Sequence, residues 1–157
     1  MIEILGIIPA RSGSTGVKNK NIKIINNRHL IDYTIERAKK SKFITDIVAS
    51  TDSVYYSNLF KKKKVWIPEL RPKKLSTNKS NIIKTLIHTT KLCEKIKNKR
   101  YDFIVLLQPT SPLRLKNEID RCIKKLIKTK FDSLISLSEM FVSHPIKFKK
   151  IINKAVL

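Results

Sequence analysis

The sequence predicts an α/β fold: a three-layer αβα sandwich in which a mostly parallel sheet lies between helices. Three observations predict it. Short, continuously apolar runs alternate along the chain with longer amphipathic segments. The first run, residues 4–8, shows no polar alternation, as a parallel strand covered on both faces requires. Each gap between runs leaves room for a crossover helix, and such crossovers are right-handed. At 157 residues the chain is long enough for one domain with a core and too short for two ordinary ones.

The elements follow in order. Residues 4–8 form the first strand. Ile31, Tyr33, Ile35 and Ala38 give residues 30–40 the pattern of a helix, with Tyr33 a packing residue at the core's edge. Residues 46–49 form a second, short strand, and Asp52-Ser53 supplies a cap for a helix running to Phe60. The lysines at 61–64 close that helix, where cations meet the negative end of its dipole. Val65, Trp66 and Ile67 make a third strand, stopped by Pro68. Ile82, Ile83, Leu86, Ile87 and Thr90 place a helix over residues 80–97, with Ser80 as its cap. Residues 103–107 form a fourth buried strand, broken by Pro109 and Pro112. Ile119, Cys122, Ile123, Leu126 and Ile127 follow the spacing of a core-facing helix, and residues 133–137 form a fifth strand.

Composition excludes several classes. Hydrophobic residues make up 41% of the chain and charged ones 29%, the balance of a folded globular protein rather than a disordered one. The apolar N-terminal run is too short for a membrane span, and it lacks the basic patch and cleavage site of a secretory signal. A cytoplasmic protein without a membrane partner is expected. Cys93 and Cys122 lie far apart and read as reduced thiols on helices. His29, His88 and His144 form no cluster, so no catalytic pair or metal site is read from them.

The net charge of +22 is large enough to attract phosphates of any kind. A basic nucleic-acid-binding protein is therefore a competing reading. It calls for aromatic side chains interleaved with the cations. Only 7% of residues are aromatic, and the lysines are spread over every segment, so most read as solvated faces.

In a doubly wound sheet, ligands bind beyond the carboxyl ends of the strands, where strand order reverses. The loop after the first strand, residues 9–21, carries the chemistry for such a site. It holds Gly13 and Gly16, two of the chain's three glycines, whose backbones tolerate positive φ and close approach to a ligand. Ser12, Ser14 and Thr15 add hydroxyl donors, and Arg11, Lys18 and Lys20 add cations. Small, donor-rich and cationic is the composition of a triphosphate cradle. An ordinary strand-to-helix turn needs two to six residues, and this loop is about twice as long. It is neither GxxxxGK[ST] nor GxGxxG.

The segment from Ile8 to Gly16, followed by Lys20, Asn21 and Ile22, resembles the opening signature of the acylneuraminate cytidylyltransferases. These are the CMP-sialic acid synthetases and their counterparts for legionaminic and pseudaminic acids. The resemblance continues through residues 30–35, 50–53, Arg71-Pro72, the run 106–114, Asp132-Ser133 and His144-Pro145. It implies a Rossmann-like fold of the nucleotide-diphospho-sugar transferase type, spanning the whole chain as one domain. It also implies transfer of CMP from CTP to an acidic nine-carbon sugar, with release of pyrophosphate and Mg²⁺ assistance. By the same resemblance, Arg11 and Lys20 hold the triphosphate and are the catalytic candidates. Ala10, Arg11, Ser12, Gly13, Asn21, Arg71 and Thr110 are nucleotide contacts, and Gln108 and Ser111 line the sugar site. The run Gln108-Pro109-Thr110-Ser111-Pro112 stands where the 3-deoxy-manno-octulosonate cytidylyltransferases carry an acidic QGDEP-like loop, which favours the acylneuraminate branch.

Three departures from the family pattern stand out. Thr15 replaces a usual Lys, and Asn78-Lys79-Ser80 replaces an Asp-Thr-Ala-like stretch. The family's Mg²⁺-binding carboxylates, and much of its homodimer surface, come from a segment beyond residue 157. No protein metal ligand is therefore expected within these residues: Asp52 reads as a helix cap and Asp102 as a strand-entry residue. A chain bounded here is expected to bind nucleotide weakly and to catalyse poorly or not at all, and a homodimer is not expected of it. An inactive remnant, or an assembly partner for a longer relative, is the third reading.

Overall fold

A computed structural model of the chain describes residues 1–14, 16–129 and 131–137, together with the backbone of two short strands near the C-terminus. Strand β1 (Ile4–Pro9) is the centre of a three-stranded parallel sheet. On one side it pairs with β4 (Asp46–Ser50), Leu5 opposite Asp46 and Pro9 opposite Ser50. On the other it pairs with β5 (Phe103–Leu106), Ile4 opposite Phe103 and Ile7 opposite Leu106. The first and fourth apolar runs are thus neighbours, and the loops that follow them meet at one end of the sheet.

The alternation of β1 explains its unbroken apolar sequence. Ile4 and Ile8 enter one core layer, with Ile31, Ile35 and Ala38 of helix α1 (Leu30–Lys39), Tyr56 and Phe60 of α2 (Val54–Lys62), and Ile119 and Ile123 of α4 (Glu118–Thr129). Leu5 and Ile7 enter the opposite layer, with Val48 and with Cys93 of α3 (Ile82–Lys97). Both faces are dry, as a parallel sheet demands. Gly6 keeps β1 close to its cover: a Cβ there would lie 3.1 Å from Ile44 Cδ1 and 3.4 Å from Leu107 Cδ1. Burial pushes the Cys93 thiol up to about 12, so the thiolate needed for reactivity is not formed at neutral pH.

Several expectations are corrected. The third strand shrinks to a single parallel bridge, Trp66 beside Val48, because Pro68 stops further pairing. Asn81 rather than Ser80 caps α3, its Oδ1 accepting from Ile83 N at 2.8 Å, while the Ser80 hydroxyl bonds Thr77 and the Lys74 carbonyl in the preceding turn. The α2 cap is Ser53 alone, accepting from Tyr56 N, which leaves Asp52 for another task. The fourth strand is a half-buried edge, with Ile104 43% exposed. Residues 133–137 form no strand, and Ile135 is 64% exposed. A parallel strand left uncovered on one side has little to gain from joining the ladder.

A hairpin of β2 (Ile24–Ile25) and β3 (Arg28–His29), missed at the sequence level, lies between the first loop and α1. Its turn residues Asn26 and Asn27 both have positive φ, 48° and 60°. The Tyr33 hydroxyl ties α1 to it by donating to the Ile25 carbonyl at 2.7 Å. Near the C-terminus, β6 (Ile151–Ile152) and β7 (Ala155–Val156) pair antiparallel. The expectations for Thr15, His144 and Pro145 lie outside the described residues. No described helix is long and apolar enough to cross a membrane.

Candidate functional site

At the carboxyl ends of the strands a cleft of about 270 Å³ opens between the loop after β1, the segment around Arg71 that follows the Trp66 bridge, and the loop after β5. Its walls include Arg11, Ser14, Gly16, Lys20, Asn21, Arg71, Gln108 and Thr110. Six of the ten residues assigned from sequence to the site meet here, drawn from three distant segments. No Asp or Glu among the described residues lines the cleft. Among the described residues, none of the ion pairs employs Arg11, Lys20 or Arg71.

Each cation is held differently. Arg71 is almost fully buried at the end of β4, donating from Nε to Ser50 Oγ at 3.0 Å and from Nη2 to the Ser50 carbonyl. Its backbone N–H donates to the Thr51 carbonyl at 2.7 Å. Burial pushes its pKa down to about 10, with the nearby Asp52 charge opposing and Arg11 adding to the fall, so the guanidinium remains charged at neutral pH. Arg11 is half-buried, and its Nη1 donates across the cleft mouth to Asn78 Oδ1 and, at 3.5 Å, to the Ser76 carbonyl. Lys20 opens a 3-10 turn, Lys20–Ile22, entered through Asn19 at a φ of 54°. The glycines do not supply the positive φ expected of them; Asn19 does. Gly13 and Gly16 have open space where a Cβ would sit, so no packing inside the protein demands glycine there.

The other assigned residues divide. Asn21 is buried, its amide donating to the Arg11 carbonyl at 3.0 Å, so it braces the loop as well as lining the cleft. Thr110 and Gln108 are exposed on the opposite wall, 3.4 Å apart between Oγ1 and Oε1. Ala10 lies in the core rather than the cleft, its N–H paired with the Ser50 carbonyl. Ser111 lines a neighbouring groove of about 470 Å³ beside β5 and α4, which Gln108 also borders. Ser12 faces Asp52: its N–H donates to Oδ1 at 2.8 Å and its hydroxyl to Oδ2 at 3.1 Å. Gly13 is exposed at the loop's tip.

Sequence reasoning missed two residues that shape the site. One is Asp52, read as a helix cap. The other is Arg114, which donates to the Gln108 carbonyl at 2.9 Å, the Ser111 carbonyl at 2.8 Å and Thr34 Oγ1 at 3.2 Å, fastening the fourth loop to α1. Burial draws its pKa down. The only available signal was its place at the end of the 106–114 run.

The donor set of the described residues does not make up a metal site. Among the described residues no three His, Cys, Asp or Glu side chains come together. Asp52, whose charge reaches Arg71, spends both oxygens on Ser12. Asp102 lies at the opposite end of the sheet, accepting from Glu3 N at 2.7 Å, as a strand-entry residue should.

Comparison with known proteins bears on family and fold. Residues 5–151 match the family described as Cytidylyltransferase. The N-acylneuraminate cytidylyltransferase of Escherichia coli O18:K1:H7 is 34% identical over 122 residues, 78% of this chain and 28% of that protein. The CMP-N,N'-diacetyllegionaminic acid synthase of Legionella pneumophila is 34% identical over 137 residues, 87% of this chain and 58% of that protein. A solved structure of CMP:2-keto-3-deoxy-manno-octonic acid synthetase complexed with CTP shares the fold, with a TM-score of 0.63 at 17% identity over 82% of this chain and 48% of that one. A cytidylyltransferase from Leptospira borgpetersenii gives 0.64 at 21% identity over 83% of this chain and 51% of that one. The chain therefore spans less than two thirds of the length of each of these proteins, yet nearly all of it aligns with the family's pattern. With its parallel sheet, its acid-free cleft at the strand ends and this match over residues 5–151, the chain belongs to the cytidylyltransferase family.

Proposed function

We propose that the cleft binds CTP, and that the chain carries the nucleotide-binding part of an enzyme transferring CMP to a sialic-type nine-carbon acid. The observation that carries this reading is the set of cations Arg11, Lys20 and Arg71 converging on a cleft with no acid in its lining. Cations gathered without carboxylates await an anion. Arg11 and Lys20 are assigned to the triphosphate and Arg71 to the nucleoside end. Thr110 and Asn21 are assigned to the nucleotide, and Gln108, bordering both the cleft and the groove with Ser111, to the sugar side. Relatives named for neuraminic and legionaminic acids support the acceptor class.

In the reaction, the anomeric hydroxyl oxygen of the sugar attacks the α-phosphorus of CTP. The bond from that phosphorus to the bridging oxygen breaks, and pyrophosphate leaves with the electron pair while the hydroxyl proton passes to solvent. Such a displacement draws mainly on positioning and charge neutralisation. Arg11 and Lys20 oppose charge accumulating on the leaving pyrophosphate, and Arg71, fixed by Ser50, offers a rigid donor that needs no reorganisation. No step is assigned to a metal ion, since the described residues do not form a site for one.

Calorimetric titration of the chain with CTP, CMP and cytidine tests the proposal. Affinity is expected to fall in that order, and Arg11→Ala and Lys20→Ala each to weaken CTP by about tenfold or more while leaving cytidine unchanged. Equal affinity for CTP and cytidine would sink the triphosphate assignment. Pyrophosphate release with sialic, legionaminic and pseudaminic acids as acceptors then reads the transfer itself.

A further inference from the structure

An acid beside a cradle for a polyanion needs a reason. Asp52 follows β4, half-buried, and its charge reaches Arg71 and Tyr56. Repulsion from a bound triphosphate opposes its presence there. Both of its oxygens are nevertheless committed to one residue of the first loop, Oδ1 to the Ser12 N–H at 2.8 Å and Oδ2 to the Ser12 hydroxyl at 3.1 Å.

The consequence falls on Arg11. Its backbone lies between three fixed points: the Ala10 N–H on the Ser50 carbonyl, the Asn21 amide on its own carbonyl, and the Ser12 clamp. Two of the three anchors, Ser50 and Asp52, belong to the end of β4 and the residues just after it, so the loop is registered against the same segment that holds Arg71. The guanidinium of Arg11 lies outside these anchors and rests on Asn78 and the Ser76 carbonyl.

We propose that Asp52 is a positioning residue of the nucleotide site, and that Ser12 serves as its handle on the loop rather than as a nucleotide ligand. The proposal rests on the CTP reading above and deepens it. Asp52 fixes where Arg11 and the amides of Gly13 and Ser14 stand relative to Arg71. It does so at an electrostatic cost to anion binding, because a neutral residue holds the Ser12 N–H less strongly.

Its two effects carry opposite signs and separate by substitution. Asp52→Asn keeps an acceptor for the Ser12 N–H, lets its amide donate to the Ser12 hydroxyl, and removes the charge. Asp52→Ala removes charge and clamp together. Asp52→Asn is expected to bind CTP within about threefold of the parent, and Asp52→Ala to bind it about tenfold or more weakly, although both lose the repulsive charge. If the acid acts through its charge alone, both variants tighten. If it only supports the fold, affinity and thermal midpoint fall together in both, and the conservative variant rescues neither.

Amide hydrogen exchange on the chain without nucleotide gives a readout independent of CTP. Residues 10–14 should exchange slowly in the parent and in Asp52→Asn but faster in Asp52→Ala, with β1 and β4 unchanged. Parent-like CTP affinity in Asp52→Ala, loss in Asp52→Asn equal to that in Asp52→Ala, or unaltered loop exchange overturns the proposal. A parent chain that binds no CTP removes the nucleotide reading, while the exchange result still decides whether the clamp exists.

Discussion

Gly6 and Gly13 show at the scale of a single residue how one substitution separates packing from binding. A methyl at Gly6 meets Ile44 and Leu107 on two sides, so neither neighbour can yield without pressing on the core. Gly6→Ala is expected to cost about 1 kcal/mol, lowering the thermal midpoint by about 3 °C. A methyl at Gly13 meets nothing within 4 Å, and the residue has negative φ, so Gly13→Ala should leave the midpoint unchanged. If phosphates approach that backbone, the same methyl should weaken CTP binding by about tenfold. Thermal melts and CTP titrations of both variants check the pair; an unimpaired Gly13→Ala would place the phosphates elsewhere on the loop. What the sequence revealed at this scale was residue type rather than partnership. Arg11 and Lys20 stood out as cations in a long loop after a buried strand, whereas Arg71 was suggested only by the family resemblance. The Ser12–Asp52 clamp was not legible, because it joins residues forty positions apart and a local cap explained Asp52 equally well.

Elements with a period were legible, and those resting on local turn chemistry or on missing neighbours were less so. β1, α1, β4, α2, α3, β5 and α4 all lie within a few residues of where apolar spacing put them. The β2–β3 hairpin had a signal in Asn26-Asn27, since adjacent asparagines tolerate the positive φ of a tight turn, but two-residue strands offer no alternation to confirm it. At the far end of the sheet from the cleft, Asp46 joins strands and helix. Tyr101 donates to it at 2.8 Å, Lys99 lies 2.7 Å away and bridges to Glu3, and Lys97 lies at 3.4 Å. Burial alone pushes the Asp46 carboxyl up, but the bonds from Lys99 and Tyr101 outweigh it and hold it below its usual value. A depressed carboxylate pKa stabilises the fold above the unfolded value near 4 and loses that contribution as pH falls below it. The midpoint of the parent should therefore drop as pH falls below about 4, and Asp46→Asn, less stable than the parent at pH 7, should converge on it as pH falls through the lowered folded pKa. A gap that persists at low pH would assign the stabilisation to packing instead.

For the molecule as a whole, the question the charge raised is whether +22 describes a site or a surface. The structure concentrates three cations in a cleft with no acid in its lining and leaves most lysines exposed elsewhere, several in exposed ion pairs such as Lys40 with Glu36. These two populations respond differently to salt. Exposed charges farther apart than about 8 Å are screened at physiological ionic strength, so attraction of single- or double-stranded nucleic acid to the lysine faces should be strong at 10 mM salt and vanish by about 200 mM. CTP in the cleft keeps bonds to half-buried and buried guanidinium groups, which are screened less, and should lose only about tenfold in affinity over the same range. The measurement is a filter-binding titration with both kinds of nucleic acid, run beside calorimetry with CTP at four salt concentrations. Because the lysine faces are spread over the surface, nucleic acid should neither compete with CTP at 200 mM salt nor lose binding in Arg11→Ala at 10 mM. Saturable nucleic-acid binding that survives 200 mM salt and is abolished by Arg11→Ala would instead make the cleft a polynucleotide site, and the acid-free lining would then have to be explained by a backbone of phosphates rather than by a single nucleotide.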